Sequence, residues 1–159
     1  MLPKKILCCT DFSENSKPAL ELAKGYAKDC GAELLLVHVL DSKRFPVYAD
    51  WVAEEHRAGW MDEALQKILK SAEESANVRL ESLAEEYGVD VEQVKTCCRI
   101  GSPSNEIVAL ANEQSVDLIV MGTHGRTGVK QLMMGSVAQS VVSTAKRPVL
   151  VLGGSAATG

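Results

Sequence analysis

The sequence predicts an α/β fold: a single five-stranded parallel sheet with helices on both faces, an open sheet of the Rossmann-like or flavodoxin-like kind. Three observations lead there. Five short apolar runs, at 4–10, 32–41, 89–101, 116–121 and 147–152, alternate with four segments of helical periodicity. Strict alternation of this kind is met by parallel strands joined through right-handed crossovers. The length, 159 residues, suffices for one domain with a real core and is too short for two ordinary ones.

In chain order, "KKILCCT" at 4–10 reads as a central strand. In "TDFSENSKPAL", Ser13 is the expected N-cap and Glu14 lies in the first turn. Ala19, Leu22, Ala23, Tyr26, Ala27 and Cys30 then form one stripe, and Gly31 stands at the stop position. "AELLLVHVLD" at 32–41 is apolar enough for a strand covered on both faces. After a loop containing Pro46, helical periodicity resumes from about Met61 to Tyr87, with Leu65, Ile68, Leu69, Ala72, Ala76, Leu80, Leu83 and Tyr87 on one face. Residues 89–101 alternate as an edge strand does. Ser102 and Pro103 are the expected N-cap and first position of the next helix. A strand at 116–121, a glycine-rich loop, a helix from about 136 and the strand "RPVLVL" at 147–152 complete the pattern. Residues 1–153 are expected to form the domain and 154–159 a disordered tail.

Composition narrows the function classes. With 46% apolar and 24% charged residues, the chain has the balance of a soluble globular protein. No stretch approaches the ~20 apolar residues of a membrane span. The start, "MLPKKILCCTDFS", has neither a long apolar region nor a cleavage site, so the expected compartment is the cytoplasm. The net charge is −4, and residues 43–86 alone, with ten acidic and six basic side chains, account for it. A mildly acidic chain is a poor partner for nucleic acid, whose phosphates need clustered Lys and Arg. Cys8–Cys9 and Cys97–Cys98 are adjacent pairs in expected strands, where neighbours point to opposite faces and cannot chelate one ion together. With Cys30 they read as buried reduced thiols.

The informative stretch is "MGTHGRTGVKQLMMGSV" at 121–137. It is neither a P-loop nor a dinucleotide fingerprint. Its glycines, Gly122, Gly125 and Gly135, remove side chains so that backbone amides approach an anion. Gly135 and Ser136 open a helix whose first N–H groups and positive dipole end favour phosphate. His124, Arg126 and Lys130 are available to add positive charge at the mouth. The competing view is that the glycines only shape a long surface loop, yet a connection this long in an α/β unit is usually functional or disordered. Asp11, directly after the first strand, faces the same crevice or caps the first helix, and both roles can coexist. His38, in an apolar strand, reads as a satisfied core histidine. Met121, Met133 and Met134 read as packing.

The pattern G-x-x-G, nine residues, then Gly-Ser, followed by "RPVLVL", resembles the ATP-binding branch of the universal stress proteins. "KKILCCTDFSENSKPAL" and "LLLVHVLD" look like that family's first strand and turn and its second strand. The resemblance implies ATP held across the ends of the first, second and fourth strands, with Mg²⁺ or Mn²⁺. Carried over by residue, it puts Thr10 and Asp11 near the ribose, with Asp11 also reaching the metal. It sets Val39 against adenine, Met121 and Gly122 along the ribose, and Gly125, Gly135, Ser136 and Val137 around the phosphates, with Arg126 nearby. Cys9 stands where the family often has proline. The resemblance further implies a homodimer formed through the last strand, 148–152, and a regulatory, stress-response role with at most slow ATP hydrolysis. The alternatives are a slow ATPase or self-phosphorylating enzyme, or a module for AMP or another nucleotide.

Overall fold

A computed structural model of the chain describes residues 1–45, 59–88, 93–123 and 134–153, with main chain alone at 59–62. The elements are β1 (Lys5–Cys9), α1 (Lys17–Cys30), β2 (Glu33–Asp41), α2 (Gly59–Tyr87), β3 (Val94–Gly101), α3 (Pro103–Glu113), β4 (Leu118–Gly122), α4 (Ser136–Thr144) and β5 (Val149–Leu152). All strand pairs are parallel, in the order β3-β2-β1-β4-β5. The α/β alternation therefore closes as one open five-stranded sheet, with β3 and β5 at its edges, β3 as its alternating pattern suggests.

Side-chain alternation along the central strands divides the core in two. Ile6, Cys8, Leu34, Leu36 and Val120 pack beneath α1 and α2, against Leu20, Ala23 and Leu80. Leu7, Leu35, Val37, Ile119 and Met121 face α3 and α4, against Ile107, Leu110, Ala138 and Val141. From β1 the chain travels outward through β2 to β3 with its helices on the first face. It then crosses back to β4 and β5 with its helices on the second. A change of direction paired with a change of face is what one crossover hand demands. The direction reverses between β1 and β4, and there the strand ends part to leave a crevice.

Several local expectations shift. Ser13 does not open α1 but precedes a 3-10 turn, Glu14–Ser16, and α1 begins at Lys17 with Ser16 as its N-cap. Ser13 instead donates its hydroxyl and its backbone N–H to Asp11 Oδ1. The buried stripe of α1 is Ala19, Leu20, Ala23 and Ala27. Tyr26 is 42% exposed because the small alanines bring the helix close to the sheet and leave the tyrosine on its flank. Gly31 stops the helix in the left-handed conformation expected, at φ 62°.

In α2, Ala76, Leu80 and Tyr87 are buried but Ile68 is 52% exposed. The 29 residues of this helix extend about 43 Å at 1.5 Å each, whereas the nine of β2 span about 30 Å. The first part of α2 therefore overhangs the sheet. Strands β3, β4 and β5 start later than the apolar runs suggest, at Val94, Leu118 and Val149. Before β4, Asp117 Oδ2 accepts the backbone N–H groups of Lys4 and Lys5 at 2.8 and 3.0 Å, tying the start of β1 to that of β4.

The adjacent cysteines do point apart: Cys8 and Cys98 pack on the α1/α2 face, Cys9 and Cys97 on the other. All five thiols are free. Among the described residues, no helix is long and apolar enough to cross a membrane.

Candidate functional site

Beyond the carboxyl ends of β1, β2 and β4 lies a cavity of about 490 Å³, within the ~300–1,000 Å³ range of small-molecule sites. Four walls meet there. β1 ends at Cys9, and the turn after it supplies Thr10 and Asp11. The far end of β2 supplies Val39 and Asp41, and β4 closes on Met121 and Gly122. Gly135, the N-cap of α4, brings Ser136 and Val137 to the fourth side. Eight of the ten candidate binding residues thus line one cavity, although up to 127 positions separate them in sequence. Gly125 and Arg126 lie outside the described residues, as do His124 and Lys130.

The turn after β1 is tightly organised. Thr10 donates its N–H to the Val37 carbonyl at 2.9 Å, which seats it against β2. Its hydroxyl lies 3.0 Å from that of Ser16 and accepts the Phe12 N–H at 3.0 Å. Asp11 Oδ1 accepts the Ser13 N–H at 3.0 Å and the Ser13 hydroxyl at 2.5 Å. The aspartate therefore shapes its own turn while lining the cavity; the bonds to Ser13 do not cap α1, whose N-cap is Ser16.

His38 is the core histidine its surroundings suggest, 8% exposed, with Nδ1 2.8 Å from the Thr10 carbonyl. A carbonyl only accepts, so Nδ1 carries the proton in that bond. His38 nonetheless also borders the cavity.

On the phosphate-like side, Gly135 donates to the Thr123 carbonyl at 2.6 Å, and Thr123 in turn donates to Leu152 at 2.7 Å. These bonds dock the start of α4 on the ends of β4 and β5. The first intrahelical bond of α4 runs from Gln139 to Gly135. The N–H groups of Ser136, Val137 and Ala138 precede it, and the N-cap, Gly135, has no side chain with which to cap them. Such amides, with the helix dipole behind them, make an anion seat. Opposite, Val37, Val39, Ile107 and Met121 belong to one apolar cluster or pack on it, and give the cavity a greasy wall.

Several lining residues escape sequence reasoning. Asp41 ends β2 and holds a 3-10 turn, Ser42–Arg44, by accepting the Lys43 N–H at 3.0 Å, with Arg44 Nε 3.8 Å from its other oxygen. A polar residue at the carboxyl end of an expected strand is a signal that could have found Asp41. Pro103 and Ile107 come from α3, whose approach to β2 no local pattern announces.

Cys9, at the cavity wall, has its thiol pushed up to about 12 by burial, and Cys8 behind it is also raised, by burial first and then by Cys9. Neither thiol is a nucleophile near neutral pH. Among the described residues no three His, Cys, Asp or Glu side chains cluster to hold a metal. Asp11 offers one carboxylate to the cavity, so an Mg²⁺ held there would take the rest of its shell from ligand oxygens and water.

Comparison with known proteins adds to this geometry. Universal stress protein MJ0531 of Methanocaldococcus jannaschii is 36% identical over 154 residues, 95% of this chain and 82% of that protein. MJ0577 of the same organism is 32% identical over 152 residues, 94% of each chain. Its solved structure superposes with a TM-score of 0.77, covering 96% of both chains at 33% identity. A universal stress protein solved in complex with cAMP shares the fold at 21% identity and a TM-score of 0.62, covering 98% of this chain and all of that one. Residues 3–153 match the model of the universal stress protein family. A five-stranded parallel sheet with a crevice between β1 and β4, relatives at this level over nearly full length, and that match together place the chain in the universal stress protein family.

Proposed function

We propose that the chain binds ATP with Mg²⁺ in the crevice and acts as a nucleotide-dependent regulatory protein of the stress response, in the cytoplasm. One observation carries the reading. The start of α4, with Gly135, Ser136 and Val137, faces the Thr10–Asp11 turn across a cavity whose other wall is apolar. An apolar wall suits a base, the turn a ribose, and the helix amides a phosphate chain. The Gly125 and Arg126 contribution rests on the loop motif. Family relatives that bind nucleotides, such as the one solved with cAMP, support the ligand class; ATP and Mg²⁺ are our choice within it. Hydrolysis is at most slow on this reading.

Calorimetric titration of ATP and Mg²⁺ into nucleotide-stripped protein tests the reading. Saturable binding in the original chain, lost in folded Gly135→Val, is the expected result. Preference for AMP or another nucleotide in competition would move the assignment within the class, and absence of any nucleotide binding overturns it.

We also propose a homodimer through β5. It is an edge strand with half-buried Val149, Leu150, Val151 and Leu152 and no strand on its outer side among the described residues, and such edges invite pairing. Light scattering at micromolar concentration should give twice the chain mass; a monodisperse monomer overturns this.

A further inference from the structure

We propose that Phe12 and Arg79 are positioning residues of the crevice: together they hold the Thr10–Ser13 turn in the conformation that presents Thr10 and Asp11 to the ligand. The inference rests on the nucleotide-binding reading above and adds to it a link from the site to α2.

The backbone of Phe12 has φ 62°. This left-handed region is open to glycine, but a bulky L-residue seldom takes it and stays there only when its surroundings hold it. Phe12 follows Asp11 directly, so the turn on which the site depends contains the strained residue.

Three restraints act on it. Its N–H donates to Thr10 Oγ1 at 3.0 Å. Its ring centroid lies 4.5 Å from that of His38, tilted by 40°. The guanidinium carbon of Arg79 lies 4.0 Å from the same ring centroid, within cation–π range. His38 in turn holds the Thr10 carbonyl at 2.8 Å. The turn is therefore gripped on both sides of Asp11: at Thr10 by His38, and at Phe12 by the ring stack.

Glycine would meet the backbone requirement of this position without strain. A phenylalanine there means that the ring supplies what glycine lacks, an attachment to β2 through His38 and to α2 through Arg79. Arg79 precedes Leu80, the fully buried anchor of α2, so the guanidinium sits on a well-fixed part of that helix. Displacement of α2 and the orientation of Asp11 are thereby linked, and a ligand that needs one orientation favours one helix position.

The test is ATP titration, with thermal melts, on the original chain and on Phe12→Tyr, Phe12→Gly, Phe12→Ala, Arg79→Lys and Arg79→Ala. Phe12→Tyr should bind as the original does. Phe12→Ala, which keeps the strain and loses the ring, should bind about tenfold more weakly. Phe12→Gly should fall between, because it takes φ 62° freely. Arg79→Ala should weaken binding about two- to five-fold, with Arg79→Lys restoring most of it.

A side chain that only fills space predicts the reverse order, alanine at least as good as glycine, and that order overturns the inference. So does unchanged affinity in both alanine variants. In either case ATP binding by the original chain leaves the nucleotide reading standing, whereas an original chain that binds no nucleotide removes both. The Phe12→Tyr and Arg79→Lys variants keep the comparison informative if an alanine variant fails to fold.

Discussion

The two ends of the sheet are both polar, and they solve that condition in opposite ways. At the amino-terminal ends of the strands, charge is matched within the protein. Glu33 sits between Lys95, 2.9 Å away, and Lys5, 3.4 Å away, and Asp117 takes the N–H groups of Lys4 and Lys5. At the carboxyl ends the strands part, a non-glycine residue is held at φ 62°, and the N-cap of α4 is a glycine, with no side chain to cover the first amides. The lesson is that polarity alone does not mark a site. Where partners close on one another the end contributes stability, and where they converge on an open volume it contributes binding.

The largest expected effect separates the ends by function. Gly135→Val should abolish nucleotide binding while changing stability by at most about 1 kcal/mol, as substitutions at a helix N-cap do. At φ −61° and ψ 154° the position accepts any residue, so the loss comes from bulk at the helix start. If Gly135→Val instead unfolds the protein, the carboxyl end is structural and the contrast fails.

Asp117→Ala should do the converse. Removing the acceptor of two backbone N–H groups, one of them part-buried, should cost about 2 kcal/mol in urea unfolding. ATP affinity should not change, because the residue lies at the far end of β4. A parallel fall in affinity would show that the ends are coupled through β1 and β4.

The smallest effect is pH-dependent. Burial alone would raise the Glu33 carboxyl, but the hydrogen bond from Lys95 and the charge of Lys5 outweigh it and hold the group below its ordinary value of 4.5. A carboxyl lowered on folding contributes stability that is fully present above its unfolded value and is lost as pH falls through the lower folded one. Urea midpoints should therefore drop in that acid window, and Glu33→Gln should flatten this part of the profile. An unchanged slope in the variant would assign the acid sensitivity to other carboxyls.

Much of this contrast was legible before folding. The glycine spacing and the Gly-Ser helix start mark the carboxyl end, and Gly31 and Pro103 punctuate helices where expected, because these signals act through the backbone conformation of one or two residues. The face of α1 was read less well. Leu20 and Tyr26 flank the alanine stripe on opposite sides, about 120° apart around the helix, and only the way the helix seats on the sheet decides which is covered. The overhang of α2 was likewise hidden, since a helical period does not say how long the neighbouring strands are. Phe12 carried no signal at all: its φ depends on His38 and Arg79, which arrive from β2 and α2.

By itself, then, the sequence determined the elements, their alternation, the class of fold and the glycine-rich connection that leads into α4. Those follow from periodicity and from residues that bias their own backbone. Only the tertiary structure decided the order β3-β2-β1-β4-β5, and with it the meeting of Asp11, Val39, Gly122 and Ser136 around one cavity. The reason is physical: local preference acts over a few residues, whereas a crevice is made by strands that become neighbours only when the sheet assembles.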